Sequence, residues 1–573
     1  MKIQPQLLTL DQLLQGRLFR IPEYQRSYSW GSKQRADLFS DILRVAARGD
    51  TAAKEGRPDD ESHFMATIVG LRQELRTIRT TPFQHIDVVD GQQRLTTLVV
   101  LLKALQGALD RDDEDQGEVE RELKQLLIKR DDVAPVLLQT NHDSSRYCVT
   151  YLRDGKHPEP AAATTAADRH LLNAMAECEA FVGEWRVTRP VLELVAVVKN
   201  KLQFLFHELE DEATVYTVFE VLNSRGLGVS WFDRLKSILM GLAFETKTSN
   251  EKETVEELHH IWRDIYGCIG LRQGLSAETL KFGATLWSRQ RPNRVIQEED
   301  AVNLLREAAQ ATPSGVIDVS NWLLQIARAV DGLAADRRLN GVTRIAQARL
   351  LATAILLRDD IDAAAKRRLM GLWERVSFRI YGMYRKDART RVGEYIRLAW
   401  NVVRQRIDAD EIEKGLRALG SEFPIAGAID SLRGSDSYGD WQPELRYLLF
   451  RYEEHLAAQR GQKFANEQWT RIWEGTAAES IEHVMPQSKG SGEKTETGIF
   501  VHRLGNLILL PPGLNSKLRD RDPDKKTDAY VDTGLHQAAD VAKGIGATTS
   551  WDRAAVVKRE EELLAWAATH WGD

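Results

Sequence analysis

Ile481-Glu482-His483-Val484-Met485-Pro486, then Gly505-Asn506-Leu507-Ile508-Leu509-Leu510, then Asn515-Ser516-Lys517 follow one another near the end of the chain. The first segment reads as a strand, in which consecutive side chains point to opposite faces, so Glu482 and His483 take different jobs. Asn506 lies in a Gly-Asn-Leu turn leading into an apolar run, placed for an amide that orients a loop or an imidazole. Asn515 comes nine residues after Asn506 and Lys517 two residues later, at the expected start of a helix.

The chain around this string is that of an ordinary soluble globular protein. It has 573 residues, 43% hydrophobic and 28% charged, and its length alone predicts about three or four domains. Net charge is -6, so any phosphate binding must come from local clusters of Lys and Arg. Cys148, Cys178 and Cys268 are widely spaced and form no Cys-x-x-Cys pair, which reads as reduced structural thiols. Met1 to Gln15 lacks the basic start and apolar stretch of a signal peptide. The apolar runs Leu95–Leu105 and Leu350–Leu357 are too short to span a bilayer. The expectation is a cytoplasmic protein with no membrane partner.

Residues 1 to about 105 alternate short strands with amphipathic helices: Ile86 to Val89 reads as a strand, and Gln92 onward as a helix on Leu95, Leu98, Val99 and Leu102. The acidic stretch Arg111–Glu122 reads as a solvated helix start or loop, and Asp154–Asp168 as a linker or long loop. Helical patterns then dominate to about residue 460 without a fixed repeat. Trp551–Trp571 reads as a closing helix with Val556, Val557, Leu563, Leu564 and Trp566 as its apolar positions. The fold class expected is α+β, predominantly helical.

Phosphodiester hydrolysis needs a water stripped of its proton, charge balance at a pentavalent phosphorus and stabilisation of the departing 3′ oxygen. The C-terminal string offers a base and groups for an ion, and it resembles the ββα-metal HNH endonucleases, in the variant fused to restriction-type proteins. These show acid-His-hydrophobic-x-Pro, then Asn-Leu-x-x-Leu, then Asn or His followed closely by Lys. The resemblance implies His483 as general base, Glu482 and Asn515 as ligands of Mg²⁺ or Mn²⁺, Asn506 as the ordering amide and Lys517 as a phosphate contact. Asn515 stands where many members have His, and the flanking zinc-binding cysteines are absent, which implies that packing alone holds this part of the fold. Of the residues just before the motif, Arg503 is a candidate phosphate contact and His502 reads as an incidental polar residue.

A second cluster joins Ile21-Pro22-Glu23-Tyr24-Gln25-Arg26-Ser27-Tyr28-Ser29-Trp30 to Asp87-Val88-Val89-Asp90-Gly91-Gln92-Gln93-Arg94-Leu95-Thr96-Thr97-Leu98. The latter predicts a buried strand, a glycine turn and a helix whose first turn carries Gln92, Gln93 and Arg94, an anion site by its free amides and guanidinium. Asp90-Gly91 alone also reads as a simple tight turn, and Tyr24, Tyr28 and Trp30 also read as ordinary core aromatics. The two segments together resemble the N-terminal domain of GmrSD-like, modification-dependent (type IV) restriction proteins, of a ParB/sulfiredoxin-like fold; the phosphorothioate-sensing Ssp-type nucleases are similar. That resemblance implies that Asp90, Gly91, Gln92, Gln93 and Arg94 bind GTP or another NTP. It adds Asn223, Arg225 and Lys236 to the same pocket, and Tyr24, Gln25 and Arg26 as a lining that senses DNA modification. It divides the chain into a ParB-like domain at 1–240, a helical region at 241–440 and an HNH domain at 441–573.

Between Gly341 and Asp410 the chain carries 15 Lys or Arg against 8 Asp or Glu. Arg385, Lys386 and Arg389 there are candidate DNA contacts among Trp373, Phe378, Tyr381, Tyr384, Tyr395 and Trp400. The same pattern also fits amphipathic helices with aromatic cores. The expected function is a nucleotide-regulated, metal-dependent endonuclease or nickase acting on modified double-stranded DNA, with a homo-oligomer among its expected forms. The rival is a ParB-like, nucleotide-switched DNA-binding regulator whose HNH domain is silent. A third reading is an HNH nuclease without nucleotide control.

Overall fold

The computed structural model describes residues 5–22, 25–54, 62–129, 134–139, 145–157, 159, 166–210, 230–245, 251–270, 272–312, 314–462, 472–473, 475–490, 494–495, 498–518, 520–548 and 550–572. The chain forms two compact units: Met1–Leu280 with Glu298–Arg328, and Lys281–Gln297 with Ala329–Asp573. Helix predominates, accompanied by one mixed sheet, so the architecture is α+β and mostly helical.

In the first unit six strands form the mixed sheet: β1 (Pro5–Thr9), β2 (Arg17–Ile21), β3 (His63–Ile78), β4 (Thr81–Asp90), β5 (Leu137–Gln139) and β6 (Leu202–Leu209). Their order is β1-β6-β3-β4-β2-β5. β4 runs antiparallel to β3 and parallel to β2, and β6 runs parallel to β3. The strand expected at Ile86–Val89 is the buried end of β4, and helix α1 (Gln92–Ala108) follows it directly. Leu95, Leu98, Val99 and Leu102 are fully buried, but so are Val100, Leu101 and Leu105, because α1 is covered on its other side by α2 (Ala166–Arg186). Each such side chain contributes about 2 kcal/mol of hydrophobic stabilisation. The apolar run of α1 is therefore core. No helix among the described residues is long and apolar enough to cross a membrane.

The joint between β4 and α1 needs glycine twice over. Gly91 has φ +88°, and a Cβ there would lie 2.9 Å from Ile68 Cγ1 and 3.2 Å from the Thr67 carbonyl oxygen. The acidic stretch that follows α1 starts a helix at Glu114–Leu127, where the Asp113 carboxylate accepts from the Gln116 amide and Glu114 and Asp115 suit the positive end of the dipole. Cys148 and Cys178 are buried free thiols, and burial pushes the Cys148 thiol up to about 12. Part of the expected 154–168 linker lies outside the described residues.

In the second unit, strands β7 (Ile481–His483) and β8 (Leu507–Leu509) pair antiparallel, with Leu507 opposite His483 and Ile508 opposite Glu482. Around this ribbon stand α3 (Gln442–Gln459), α4 (Pro512–Leu518), α5 (Thr527–Asp532), α6 (His536–Thr548) and α7 (Arg553–His570). The last is the closing helix expected from the sequence, capped by the Asp552 carboxylate on the Ala555 amide. Val556, Leu563, Leu564 and Trp566 are buried as expected, whereas Val557 is exposed, because it falls about 100° round the helix from Val556. The Gly-Asn-Leu turn presses on α7 so closely that a Cβ on Gly505 would lie 1.9 Å from the Val556 carbonyl oxygen and 2.9 Å from the Glu560 nitrogen. Arg559 completes the joint, its Nη1 donating to the carbonyls of Gly505 at 2.9 Å and Leu507 at 2.8 Å. Since backbone meets backbone there, Gly505→Ala is expected to destabilise the protein by about 3 kcal/mol, read as a lower midpoint in urea denaturation.

Candidate functional site

Alternation along β7 sends Glu482 and His483 to opposite sides of the ribbon. Glu482 turns inward, only 3% exposed, where its Oε1 accepts from Lys526 Nζ at 2.7 Å and from the Tyr530 hydroxyl at 3.0 Å. Lys526 and Tyr530 stand four residues apart at the start of α5, so one helical turn delivers both. Burial raises the Glu482 carboxyl above its ordinary value despite the Lys526 ammonium. Lys526 also donates to the carbonyl of His483 at 2.9 Å.

His483 turns the other way. Its Nδ1 lies 3.0 Å from Gln487 Nε2, and its Nε2 lies 3.1 Å from Nδ1 of His502. Burial, with His502 and Lys526 nearby, brings its imidazole down to about 3, so it is uncharged at neutral pH. Burial also lowers His502, while Asp436 pulls it back up. Tyr438 lies flat over His502, centroids 5.2 Å apart and planes within 8°, and stands edge-on to His483 at 4.5 Å. The loop carrying Tyr438 is held by the Ser437 amide on the His502 carbonyl at 2.9 Å.

Asn506 has no exposed surface and orders the loop after β7. Its Oδ1 accepts from the Met485 amide at 2.8 Å, and its Nδ2 donates to the carbonyls of Met485 at 3.0 Å and Val501 at 2.8 Å. It thereby sets the spacing between the segment that carries His483 and the segment that carries His502. Asn515, on α4, donates its Nδ2 to the carbonyls of Glu479 and Ile481 at 2.9 and 3.1 Å, and Lys517 on the same helix is exposed. Arg503 is an internal strut, paired with the fully buried Glu560 of α7.

A divalent ion at this place would need a carboxylate to share. Glu482 gives its carboxylate to Lys526 and Tyr530 on the face away from His483, and among the described residues no group of three His, Cys, Asp or Glu side chains suited to a metal occurs. Oε1 of Glu482 is held by Lys526 and Tyr530, and the Asn515 amide is given to two backbone carbonyls, so an ion between them would compete with those bonds, and no chemical step is derived through one.

In the first unit, the loop after Pro22 is clipped to β4 and α1. Gln25 donates to the Val89 carbonyl at 3.1 Å, Gln92 to the Arg26 carbonyl at 3.1 Å and Gln93 to the Ser27 carbonyl at 3.2 Å, and Tyr28 is buried against Thr97. The two glutamines thus position the loop that carries Arg26. Arg26 lies 3.7 Å from Asp233, which also accepts from the Tyr266 hydroxyl at 2.6 Å. Packing around Asp90 raises its carboxyl above the ordinary value, against the Gly91 amide, Arg26 and Arg94. Arg94 sits over the Trp30 ring at 5.6 Å, and its guanidinium makes no hydrogen bond or ion pair with any described residue. No side chain caps the first turn of α1. Lys236 is buried beside Asp233 and over Tyr266, and burial lowers its ammonium to about 7.

Beside this cluster opens a cavity of about 390 Å³ lined by Arg26, Ser29, His170, Asp233, Tyr266 and Arg272. Asp90, Gly91, Arg94, Arg26 and Lys236 are therefore neighbours as the sequence suggests, while Tyr24, Asn223 and Arg225 lie outside the described residues. Tyr266, Arg272 and His170 carry no local signal in the sequence, because only the fold brings them there.

The basic stretch resolves differently. Trp373, Phe378, Tyr381 and Tyr395 are buried core, and the charges of Lys386 and Arg389 stand on an exposed loop, Arg389 paired with Asp387. Arg385, at φ +52°, lies over Trp441 and donates to the Asp436 carbonyl at 2.8 Å.

Residues 10–240 match the family described as the N-terminal domain of the GmrSD restriction endonuclease, and residues 427–566 match the C-terminal domain of the GmrSD restriction endonucleases. The chain belongs to the GmrSD-like type IV restriction endonucleases. No curated protein matches it. The first GmrSD match contains the Asp90–Arg94 turn and Lys236, and the second contains the ribbon together with Tyr438, Lys526 and Arg559.

The uncharged state of His483 has a consequence for stability. Its folded pKa, about 3, lies below the ordinary 6.5, so the unfolded chain takes up the proton first. The resulting stability is present above about pH 6.5 and is lost as pH falls toward 3. His483→Asn is expected to flatten that part of the acid limb in a series of urea melts between pH 7 and pH 4.

Proposed function

We propose that this chain is a DNA endonuclease that restricts modified DNA, with hydrolysis at the β7–β8 ribbon. The reading rests on one observation: a buried, uncharged imidazole, His483, coupled through Nε2 to a second imidazole that reaches the surface. Such a pair can take a proton from water at neutral pH, and a placed base contributes about 10² to 10⁴-fold to rate. The ribbon with α4 is read as an HNH ββα unit and the six-stranded sheet as a ParB/sulfiredoxin-like domain, within a division at 1–240, 241–440 and 441–573. Lys517, Lys386 and Arg389 offer exposed cations to the DNA backbone.

His483→Ala is expected to lower cleavage by at least about 10²-fold with an unchanged circular dichroism spectrum; cutting at the wild-type rate would sink the assignment. The assay uses plasmids with unmodified, hydroxymethylated or glucosylated cytosine and with a phosphorothioate backbone. It is run in Mg²⁺, in Mn²⁺ and in EDTA, because an ion at Glu482 would have to displace Lys526 or turn the carboxylate around. The same neutralised carboxylate favours the rival reading, a nucleotide-switched DNA-binding regulator, which binding without cleavage in every arm would select.

The first unit supports nucleotide control. The uncapped turn of α1, the Arg94 guanidinium and Arg26 suit the phosphates of GTP or another NTP, and Lys236 is poised near neutrality beside them. Arg94→Ala is expected to lose nucleotide hydrolysis at least about 10-fold, a bound phosphate contact contributing about 1.5–3 kcal/mol; full turnover by the variant refutes this pocket.

A further inference from the structure

Between the helix Ala363–Ser377, α3 and α7 lies a cavity of about 300 Å³ whose walls carry Arg375, Arg451, His455, Trp566 and His570. No residue of the β7–β8 ribbon lines it. Its charges do not cancel. Arg451 pairs with Glu374, Nε to Oε1 at 2.9 Å, and with Glu454, which Arg338 also holds at 2.7 Å. Those two arginines and two carboxylates balance one another, and the Tyr447 hydroxyl donates to Glu374 at 2.8 Å. Arg375 is left over: its Nε is out of water and has no hydrogen-bond acceptor among the described residues. Trp566 Nε1 is in the same condition, in a residue only 9% exposed. Arg451 Nη2 lies 3.2 Å from His570 Nε2, and because a guanidinium only donates, that nitrogen accepts and the imidazole carries its proton on Nδ1. Burial together with Arg451, His455 and Arg375 brings the imidazole down to about 4, so the cavity presents positive potential.

One wall of the cavity has a glycine where packing asks for none. Gly371 stands one turn before Arg375 on the same helix face, and a Cβ built on it would meet nothing within 4 Å. Its φ is not positive either. Glycine inside a helix costs stability relative to alanine, so here it is kept against local propensity. Its bare backbone leaves room beside Arg375, because helical side chains lean toward the N-terminus and carry the guanidinium back over that turn. A buried polar atom without a partner is accounted for by a bound group that supplies one, and both Arg375 Nε and Trp566 Nε1 are donors. Donors beside surplus positive charge select an oxygen-rich anion, and a guanidinium fits a phosphate best of all. We infer that this cavity binds a phosphate group, held by the Arg375 guanidinium with Trp566 Nε1 and the Nδ1–H of His570 as further donors. The site is separate from the ribbon and stands whether or not the ribbon cuts.

The test counts radiolabelled sulfate, which keeps the shape and charge of a phosphate dianion, in equilibrium dialysis of the full chain at constant ionic strength. Arg375→Gln is expected to weaken one bound sulfate at least about 10-fold, the loss of a charge-assisted contact. Gly371→Leu fills the cavity with a good helix former. It is expected to lose the same sulfate while raising the midpoint in urea, so that lost binding is not lost folding. Wild-type sulfate binding by either variant overturns the site. Competition for the Arg375-dependent sulfate then names the source of the phosphate. Displacement by a short DNA duplex as well as by inorganic phosphate assigns the cavity to the backbone of a DNA strand, and displacement by inorganic phosphate alone assigns it to a free phosphate. If neither displaces the sulfate, the phosphate assignment falls.

Discussion

The carboxylate of Glu482 and the ammonium of Lys526, both out of water and 2.7 Å apart, decide which way a three-residue strand faces. Breaking a buried pair by removing one partner leaves an uncompensated charge and costs about 3–5 kcal/mol, so β7 cannot rotate without a large penalty. With Glu482 locked inward, alternation leaves His483 one direction only, toward Gln487, His502 and Tyr438. The setting of His483 on the outer face therefore depends on an ion pair on the inner face.

Asn506 works on the same problem from the side. Three hydrogen bonds from one amide tie the loop after β7 to the turn before β8, so two imidazoles from separate segments are held at 3.1 Å. Neutral histidines at that distance need no counter-ion, and burial keeps them neutral. In the first unit the same device recurs with glutamines: Gln92 and Gln93 bond to backbone carbonyls and bring Arg26 up to Asp90 and Arg94.

Much of this was legible in the sequence because it is local. A strand ending in Asp90-Gly91 before an apolar helix announces a left-handed turn, and Glu482-His483 announces two faces. The mostly helical α+β class follows from the periodicities. What could not be read is non-local. Lys526 and Tyr530 come 44 and 48 residues after the carboxylate they hold, and Tyr438 precedes the histidines it covers in a helix-connecting loop without any motif. His502 looked incidental because nothing in its neighbourhood in sequence shows that β7 runs beside it. The aromatic residues of the basic stretch were ambiguous for a plain reason: a helix with a packed core and a charged outside has the composition of a phosphate-tracking surface, and only burial separates the two.

Arg559 and the groove that α7 offers to Gly505 have a bearing on synthesis. The arginine that gathers the carbonyls of the Gly-Asn-Leu turn is made 54 residues after the glycine it holds. On a ribosome that emits the chain from its N-terminus, the histidine pair is on the nascent polypeptide well before the helix that braces it. The ribbon can reach its final shape only once α7 has emerged, so a chain still being translated carries the two imidazoles without the brace that aligns them.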